Sequence, residues 1–330
     1  MSIRVGDIEL GGRVVLAPLS GITDQPFRRI ARRLGAALVV SEMVASRAVV
    51  DEGRRQASER RKLVADHDAE APLAIQLAGC DPALMAEAAK LAEGQGARLI
   101  DLNFGCPAKK VTNQDAGSAL MADEPLTGRI LESVVKAVAV PVSMKMRLGW
   151  RQDRRNAPEI ARMAEGSGIK LLSVHGRTRD QAFRGKADWA AVAAVKQATG
   201  LPLLVNGDVT TLAEGSDALA RSGADGVMVG RGACGRPWFL RELEAHLANR
   251  QVPTAPDAAE RLAIVLEHYE GLLSLYGRAL GLRNARKHLG WYLQHWPGGD
   301  AWRQRLLTLE DPAAVQALLP EIFVQRREAA

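Results

Sequence analysis

The chain has 330 residues, 47% hydrophobic and 25% charged, with 44 Lys and Arg against 38 Asp and Glu for a net charge of +6. This balance excludes a disordered or fibrous chain, and the length supports a sizeable core. The three cysteines, Cys80, Cys106 and Cys234, are too widely spaced for a disulfide framework or a zinc pattern. No run of about 18 apolar residues is present to cross a membrane. The first residues are charged rather than signal-like, so a cytoplasmic protein without a membrane partner is expected. The pI near 9.4 suits a polyanion such as nucleic acid, although an ordinary solvated surface also carries this much charge.

In chain order, apolar runs occur at Val14–Pro18, Ala37–Val40, Leu73–Leu77, Leu99–Asn103, Val142–Met146, Leu171–His175, Leu203–Asn206 and Gly226–Gly230. Amphipathic segments such as Pro82–Glu93, Glu132–Ala139 and Trp189–Ala198 lie between them. Continuous apolar strands alternating with helices read as buried parallel β-structure. Eight βα units in about 240 residues predict an α/β fold of the TIM (β/α)8 type, placed at residues 1–243. Helical spacing at Ala258–Tyr276, Leu282–His295 and Ala301–Leu307, with Pro312 and Pro320 as later punctuation, predicts a small C-terminal all-helical domain over 244–330.

The ends of the predicted strands carry Pro18, Glu42, Gln76, Asn103, Lys145, His175, Asn206-Gly207-Asp208 and Gly230-Arg231. Polar residues gathered at strand C-termini are what a barrel active site requires. Gly230–Gly235 fits G-x-G-x-x-G, yet it follows the eighth strand rather than the first, which argues against a Rossmann fold. With Asn206–Asp208 it instead marks the barrel's phosphate-binding loops. Cys106 lies on a Gly-Cys-Pro turn beside Lys109 and Lys110; no neighbouring histidine activates it as a nucleophile, and an unperturbed thiol, pKa about 8.5, can serve as a general acid. Lys145, within an otherwise apolar strand, suits an electron-rich ring that becomes anionic on reduction, and Gln76 suits a heterocycle. Together these point to a flavin-binding barrel. Arg283, Arg286 and Lys287 share one helical face, and no metal cluster is apparent.

The ordered set Ala17–Asp24, Gln76–Gly79, Asn103–Lys110, Lys145–Trp150, His175–Thr178, Gly185–Trp189, Asn206–Asp208 and Gly230-Arg231 resembles the tRNA-dihydrouridine synthase family. The segments HGRT, GKADW and Ala285–Tyr292 are most similar to the bacterial DusB type. The resemblance spans about residues 14–322 and implies an FMN-dependent oxidoreductase acting on CH–CH bonds, with NADPH as reductant and tRNA as partner; no obligate protein partner is evident. By position, Ala17, Pro18, Leu19, Gln76, Lys145, His175, Asn206, Gly207, Asp208, Gly230 and Arg231 would hold FMN. Cys106 would be the proton donor, and Asn103 and Arg177 would touch the uracil. Phosphate contacts are expected from Lys109, Lys110, Arg283, Arg286 and Lys287. Leu19 and Phe104 stand where Met is frequent, and Phe183 where Tyr is common.

The implied reaction reduces the C5=C6 bond of a D-loop uridine, with hydride from FMN N5 reaching C6 and a proton from Cys106 reaching C5. The DusB likeness points to position 17. A uracil stacked within folded tRNA must be extruded to reach a barrel mouth. Two other readings remain open at this point: a reductase of a free pyrimidine resembling dihydroorotate dehydrogenase, and a flavin-bearing RNA-binding protein without turnover.

Overall fold

The structure, a computed structural model, describes residues 2–50 and 70–324. The parts of the two predicted units at 51–69 and 325–330 lie outside the described residues. Among the described residues eleven strands form: β1 (Ile3–Val5), β2 (Ile8–Leu10), β3 (Val14–Leu16), β4 (Leu38–Val40), β5 (Val44–Ala45), β6 (Leu73–Ala78), β7 (Leu99–Phe104), β8 (Val142–Arg147), β9 (Leu171–His175), β10 (Leu203–Asn206) and β11 (Gly226–Val229). Strands β3, β4 and β6 through β11 are parallel and close into a ring, sealed by β11 on β3 (Val229 opposite Leu16) and β4 on β6 (Val39 opposite Leu73). Each of the eight predicted runs is a barrel strand.

Period-2 alternation decides which residues face the axis. Val15, Leu38, Ala74, Leu99, Leu171, Leu204 and Met228 form an interior cluster with Ile3, Val5 and Leu10 of the β1–β2 hairpin. The hairpin therefore plugs the N-terminal end, while Leu16, Val39, Ile75, Ile100 and Leu102 pack outward beneath the helices. Because both faces are buried, the strands read as continuous apolar runs and not as alternation.

The helices are α1 (Gln25–Arg33), α2 (Ser46–Val50), α3 (Pro82–Gly94), α4 (Lys109–Thr112), α5 (Glu124–Ala137), α6 (Ala157–Gly166), α7 (Trp189–Ala198), α8 (Leu212–Ser222) and α9 (Phe239–Leu247), followed by α10 (Ala258–Tyr276), α11 (Arg278–Gln294), α12 (Asp300–Thr308) and α13 (Pro312–Val324). Asp24, Asp81, Asp123 and Asp188 cap α1, α3, α5 and α7 through their side chains. The Asp123 cap starts α5 at Glu124, ahead of the Glu132 expected from apolar spacing. Helix α9 spans residue 243 and belongs to the barrel core through Phe239, Leu240 and Leu243.

The C-terminal helices hold a second apolar cluster that includes Tyr269, Leu289, Leu319 and Phe323. Ile30 of α1 and Leu34 just after it, with Trp238, join this cluster and seat the helical unit on the barrel. Of the two prolines expected to punctuate the chain, Pro312 does so and Pro320 does not. Pro312 opens α13 and Pro320 lies within it. A proline interior to a helix is tolerated here because Val315, Leu318, Leu319 and Ile322 are buried on either side of it. Among the described residues no helix is long and apolar enough to cross a membrane.

Candidate active site

At the C-terminal end of the barrel the inward positions turn from apolar to polar. The parallel register sets Asp101 beside Ser143, Asn103 beside Lys145, Lys145 beside Ser173 and Arg147 beside His175. Above this polar layer opens a cavity of about 1320 Å³. Ala17, Pro18, Leu19, Gln76, Lys145 and His175 line it, as do Asn206, Gly207, Asp208, Gly230 and Arg231. Cys106, Asn103 and Arg177 line it too, so strand-end residues far apart in sequence meet at one site.

Cys106 is held from below by a chain of side-chain hydrogen bonds. Ser143 Oγ donates to Asp101 Oδ1 at 2.6 Å, and Gln76 Nε2 donates to Asp101 Oδ2 at 2.7 Å. Gln76 Oε1 accepts from Asn103 Nδ2 at 2.8 Å, and Asn103 Oδ1 accepts the backbone N–H groups of Gly105 and Cys106 at 3.1 and 2.9 Å. Ser118, through its N–H at 3.1 Å and its hydroxyl at 2.9 Å, donates to the Cys106 carbonyl. Gly117, with φ of +62°, packs so tightly that an added Cβ would stand 2.9 Å from that carbonyl. The thiol is thus presented on a turn whose backbone is pinned on both sides, itself partly exposed to the cavity.

Lys145 lines the cavity and makes no hydrogen bond among the described residues. Burial brings its ammonium down to about 8; Arg147 adds to this, while Asp101 and Cys106 oppose it. Burial likewise raises the Asp101 carboxyl, against the hydrogen bonds from Ser143 and Gln76. Arg147, which the sequence reading passed over, also lines the cavity. Its Nε donates to Gly105 O at 2.7 Å and its Nη1 to Thr178 O and Ala182 O, both at 2.9 Å, tying the Cys106 turn to the loop after β9. The signal was present: Arg147 stands two residues past Lys145, on the same face of the same strand.

Arg177, expected to touch the uracil, lines the cavity and is also bonded to several groups of the protein. Nε donates to Arg184 O, Nη1 to Asp208 Oδ1 and His175 Nε2, and Nη2 to Gly185 O and Asp208 Oδ2. Every guanidinium N–H is consumed within the protein. Asn103 is similarly bonded to Gln76 and the Cys106 turn, and both residues line the cavity. Burial pushes the Asp208 carboxyl up, but the Arg177 bonds, the Ala187 N–H and Arg231 hold it below the usual range. His175 is kept neutral by burial and then by Lys145, Arg147, Arg177 and Arg231. Since Arg177 must donate, His175 Nε2 is the unprotonated nitrogen. At Gly207, φ is +116° and a Cβ would stand 2.6 Å from His175 Cδ2, so only glycine fits this part of the cradle.

The basic residues expected to meet phosphates divide. Lys109 and Lys110 are exposed on α4 directly after the Cys106 turn, and Arg283 is exposed on α11. Arg286 is half-buried and donates to Leu309 O at 3.1 Å. Lys287 turns toward the barrel, where a Cβ added at Gly21 would lie 3.5 Å from its Nζ. Phe183, 59% exposed, stands at the cavity mouth with the Arg147 and Arg231 guanidiniums 5.7 and 5.4 Å from its ring centre.

Solved structures sharing the barrel include morphinone reductase in complex with tetrahydroNAD (TM-score 0.54, 15% identity, 79% of this chain and 93% of that one). Histamine dehydrogenase from Rhizobium sp. 4-9 is another, with a TM-score of 0.58 and 15% identity over 82% of this chain and 50% of that one. The fold and cavity together define a TIM barrel with its polar site at the strand C-termini. A profile of the dihydrouridine synthase (Dus) family matches residues 15–327. A probable tRNA-dihydrouridine synthase of Rhodobacter capsulatus is 49% identical over 329 residues, covering 100% of both chains. One from Rickettsia conorii is 48% identical over 326 residues, covering 99% of this chain and 98% of its own. The tRNA-dihydrouridine synthase B of Pseudomonas aeruginosa is 44% identical over 326 residues, covering 98% and 97%. The chain belongs to the dihydrouridine synthase family.

Proposed function

We propose that this protein reduces the C5=C6 bond of a uridine in the tRNA D-loop, position 17 in particular, with FMN as its cofactor and NADPH as reductant. The observation that carries this reading is the placement of Cys106 on a pinned turn at the mouth of a cavity whose floor presents Lys145. The names of the relatives support tRNA as the substrate, and the cytoplasm is where it would be met.

The cavity fits a flavin mononucleotide on three counts. Gly207 leaves room that a Cβ would fill, Lys145 brings an ammonium that makes no hydrogen bond among the described residues, and Gly230 and Arg231 line the cavity as well. Bound there, FMN would supply the hydride. Lys145 would favour negative charge on the ring, and Asn206–Asp208 with Gly230-Arg231 would hold the phosphate end. The protein's own contribution to the substrate is a proton: as charge develops at C5 and O4 of the uracil, the Cys106 thiol delivers its proton to C5. Arg147, whose Nη2 makes no hydrogen bond among the described residues, lines the cavity and would donate to a uracil oxygen. Lys109, Lys110 and Arg283 would meet phosphates, and the helical unit after α9 would orient the tRNA.

The test is incubation of purified protein and NADPH with tRNA from cells lacking this gene, followed by mass spectrometry of the digested tRNA. A gain of two mass units at one D-loop uridine supports the reading, and no gain on any uridine of that tRNA rejects it.

A further inference from the structure

The cavity wall formed by Ala17, Pro18 and Leu19 is the start of the loop that leads from β3 into α1. Its backbone is fixed by contacts along its length. Leu19 N–H donates to Thr23 Oγ1 at 2.8 Å, and the Thr23 carbonyl accepts from Arg28 Nη1 at 3.0 Å. At the loop tip, Gly21 N–H donates to Glu42 Oε1. At the loop's end, Asp24 is 3% exposed and has its two carboxylate oxygens divided between two structural units. Oδ1 accepts the Phe27 N–H that caps α1, at 3.3 Å. Oδ2 accepts the hydroxyl of Tyr276, the last residue of α10, at 3.2 Å. Lys287 of α11 reaches the tip of the same loop, its Nζ beside Gly21.

Helical-unit side chains therefore meet this loop at two points: the Tyr276 hydroxyl bonds Asp24 while its ring packs against the apolar cluster that seats the unit, and Lys287 lies beside Gly21. Loss of a hydrogen bond to this buried carboxyl group leaves one of its oxygens without a partner, which costs more than the bond itself contributes. We propose that Tyr276 is a positioning residue through which the helical unit fixes the Pro18–Asp24 loop, so that the cofactor wall is ordered only when that unit is seated. The effect on cofactor retention rests on the FMN reading above; the ordering of the loop does not. The arrangement makes the RNA-orienting unit and the cofactor cradle one mechanical assembly.

The experiment compares wild type, Tyr276→Phe and Tyr269→Phe as full chains. Tyr269 donates to Pro312 O at 3.1 Å within the helical unit and controls for loss of a tyrosine hydroxyl. Amide hydrogen exchange is followed with flavin removed, and the FMN Kd is then measured by quenching of flavin fluorescence. In Tyr276→Phe we expect exchange over residues 18–24 to quicken and FMN binding to weaken, each about threefold to tenfold, with Tyr269→Phe matching wild type. Unchanged exchange over 18–24 overturns the proposal whatever the flavin does. Faster exchange with an FMN Kd within about twofold of wild type overturns the link to the cofactor. Wild-type protein that takes up no FMN, with faster exchange in the variant, rejects the FMN reading and sustains the grip on the loop.

Discussion

Asn103 Oδ1 accepts the backbone N–H of Cys106 at 2.9 Å, and the same side chain's Nδ2 donates to Gln76 Oε1 at 2.8 Å. The turn that presents the thiol is thus fixed to a buried side chain rather than left to solvent. Asn103→Ala should keep bound flavin but lower the rate at which reduced protein is reoxidised by tRNA, by about tenfold to a hundredfold, since small displacements of a reacting group have effects of this size. Stopped-flow absorbance under single-turnover conditions reads the rate, and a rate equal to wild type would remove Asn103 from the account.

Gly207 allows a different test. A methyl there meets His175 Cδ2 at 2.6 Å and Ala187 Cβ at 2.8 Å, with φ at +116°. Gly207→Ala should lower stability by about 2–4 kcal/mol and leave the purified protein depleted in flavin. Thermal unfolding together with the ratio of flavin to protein absorbance checks both effects.

The fork of Arg177 on Asp208 closes the loop after β9 over the cradle. A lysine cannot satisfy Asp208, Gly185 O and Arg184 O at once. Arg177→Lys should therefore free residues 179–186, which trypsin would report as faster cleavage after Arg179 or Arg184, together with a loss of about 1–3 kcal/mol. Cleavage at the wild-type rate would mean that the fork does not hold the loop.

Lys145 gives a pH dependence with a definite sign. Burial, reinforced by Arg147, lets the folded chain lose this proton near pH 8, whereas the unfolded chain holds it to the ordinary value of 10.5. Between these limits the unfolded state binds more protons, so stability rises with pH through this window. Lys145→Met, which lacks the proton, should gain most over wild type at pH 7, and its advantage should shrink as pH rises past 8. Denaturant midpoints at pH 7, 8, 9 and 10 would reveal a constant difference if the ammonium is not desolvated.

The barrel was legible because each parallel strand, covered on both faces, leaves a continuous apolar run closed by a polar residue, as at Leu171–His175. Cys106, Lys145 and Gly207, singled out because each lies in or just after a barrel strand's polar end, line one cavity. Long-range pairing was not legible. Nothing in the sequence pairs Arg177 with Asp208 and Gly185, which fold against it. Lys287 shared a helical face with Arg283, but only the seating of α11 on the barrel shows it turned inward. The β1–β2 hairpin was missed because Arg4 and Glu9 interrupt its two short strands, which leaves no continuous apolar run. Pro320 was misread because burial of its neighbours outweighs the broken backbone bond.

The central claim is that Cys106 gives the C5 proton to a tRNA uridine. The most direct measurement is dihydrouridine formed per protein by wild type and Cys106→Ala, on tRNA from cells lacking the gene, with bound FMN quantified in the same samples. The account predicts equal FMN in both proteins, position-specific dihydrouridine with wild type, and almost none with Cys106→Ala. Equal dihydrouridine from the two proteins would contradict it.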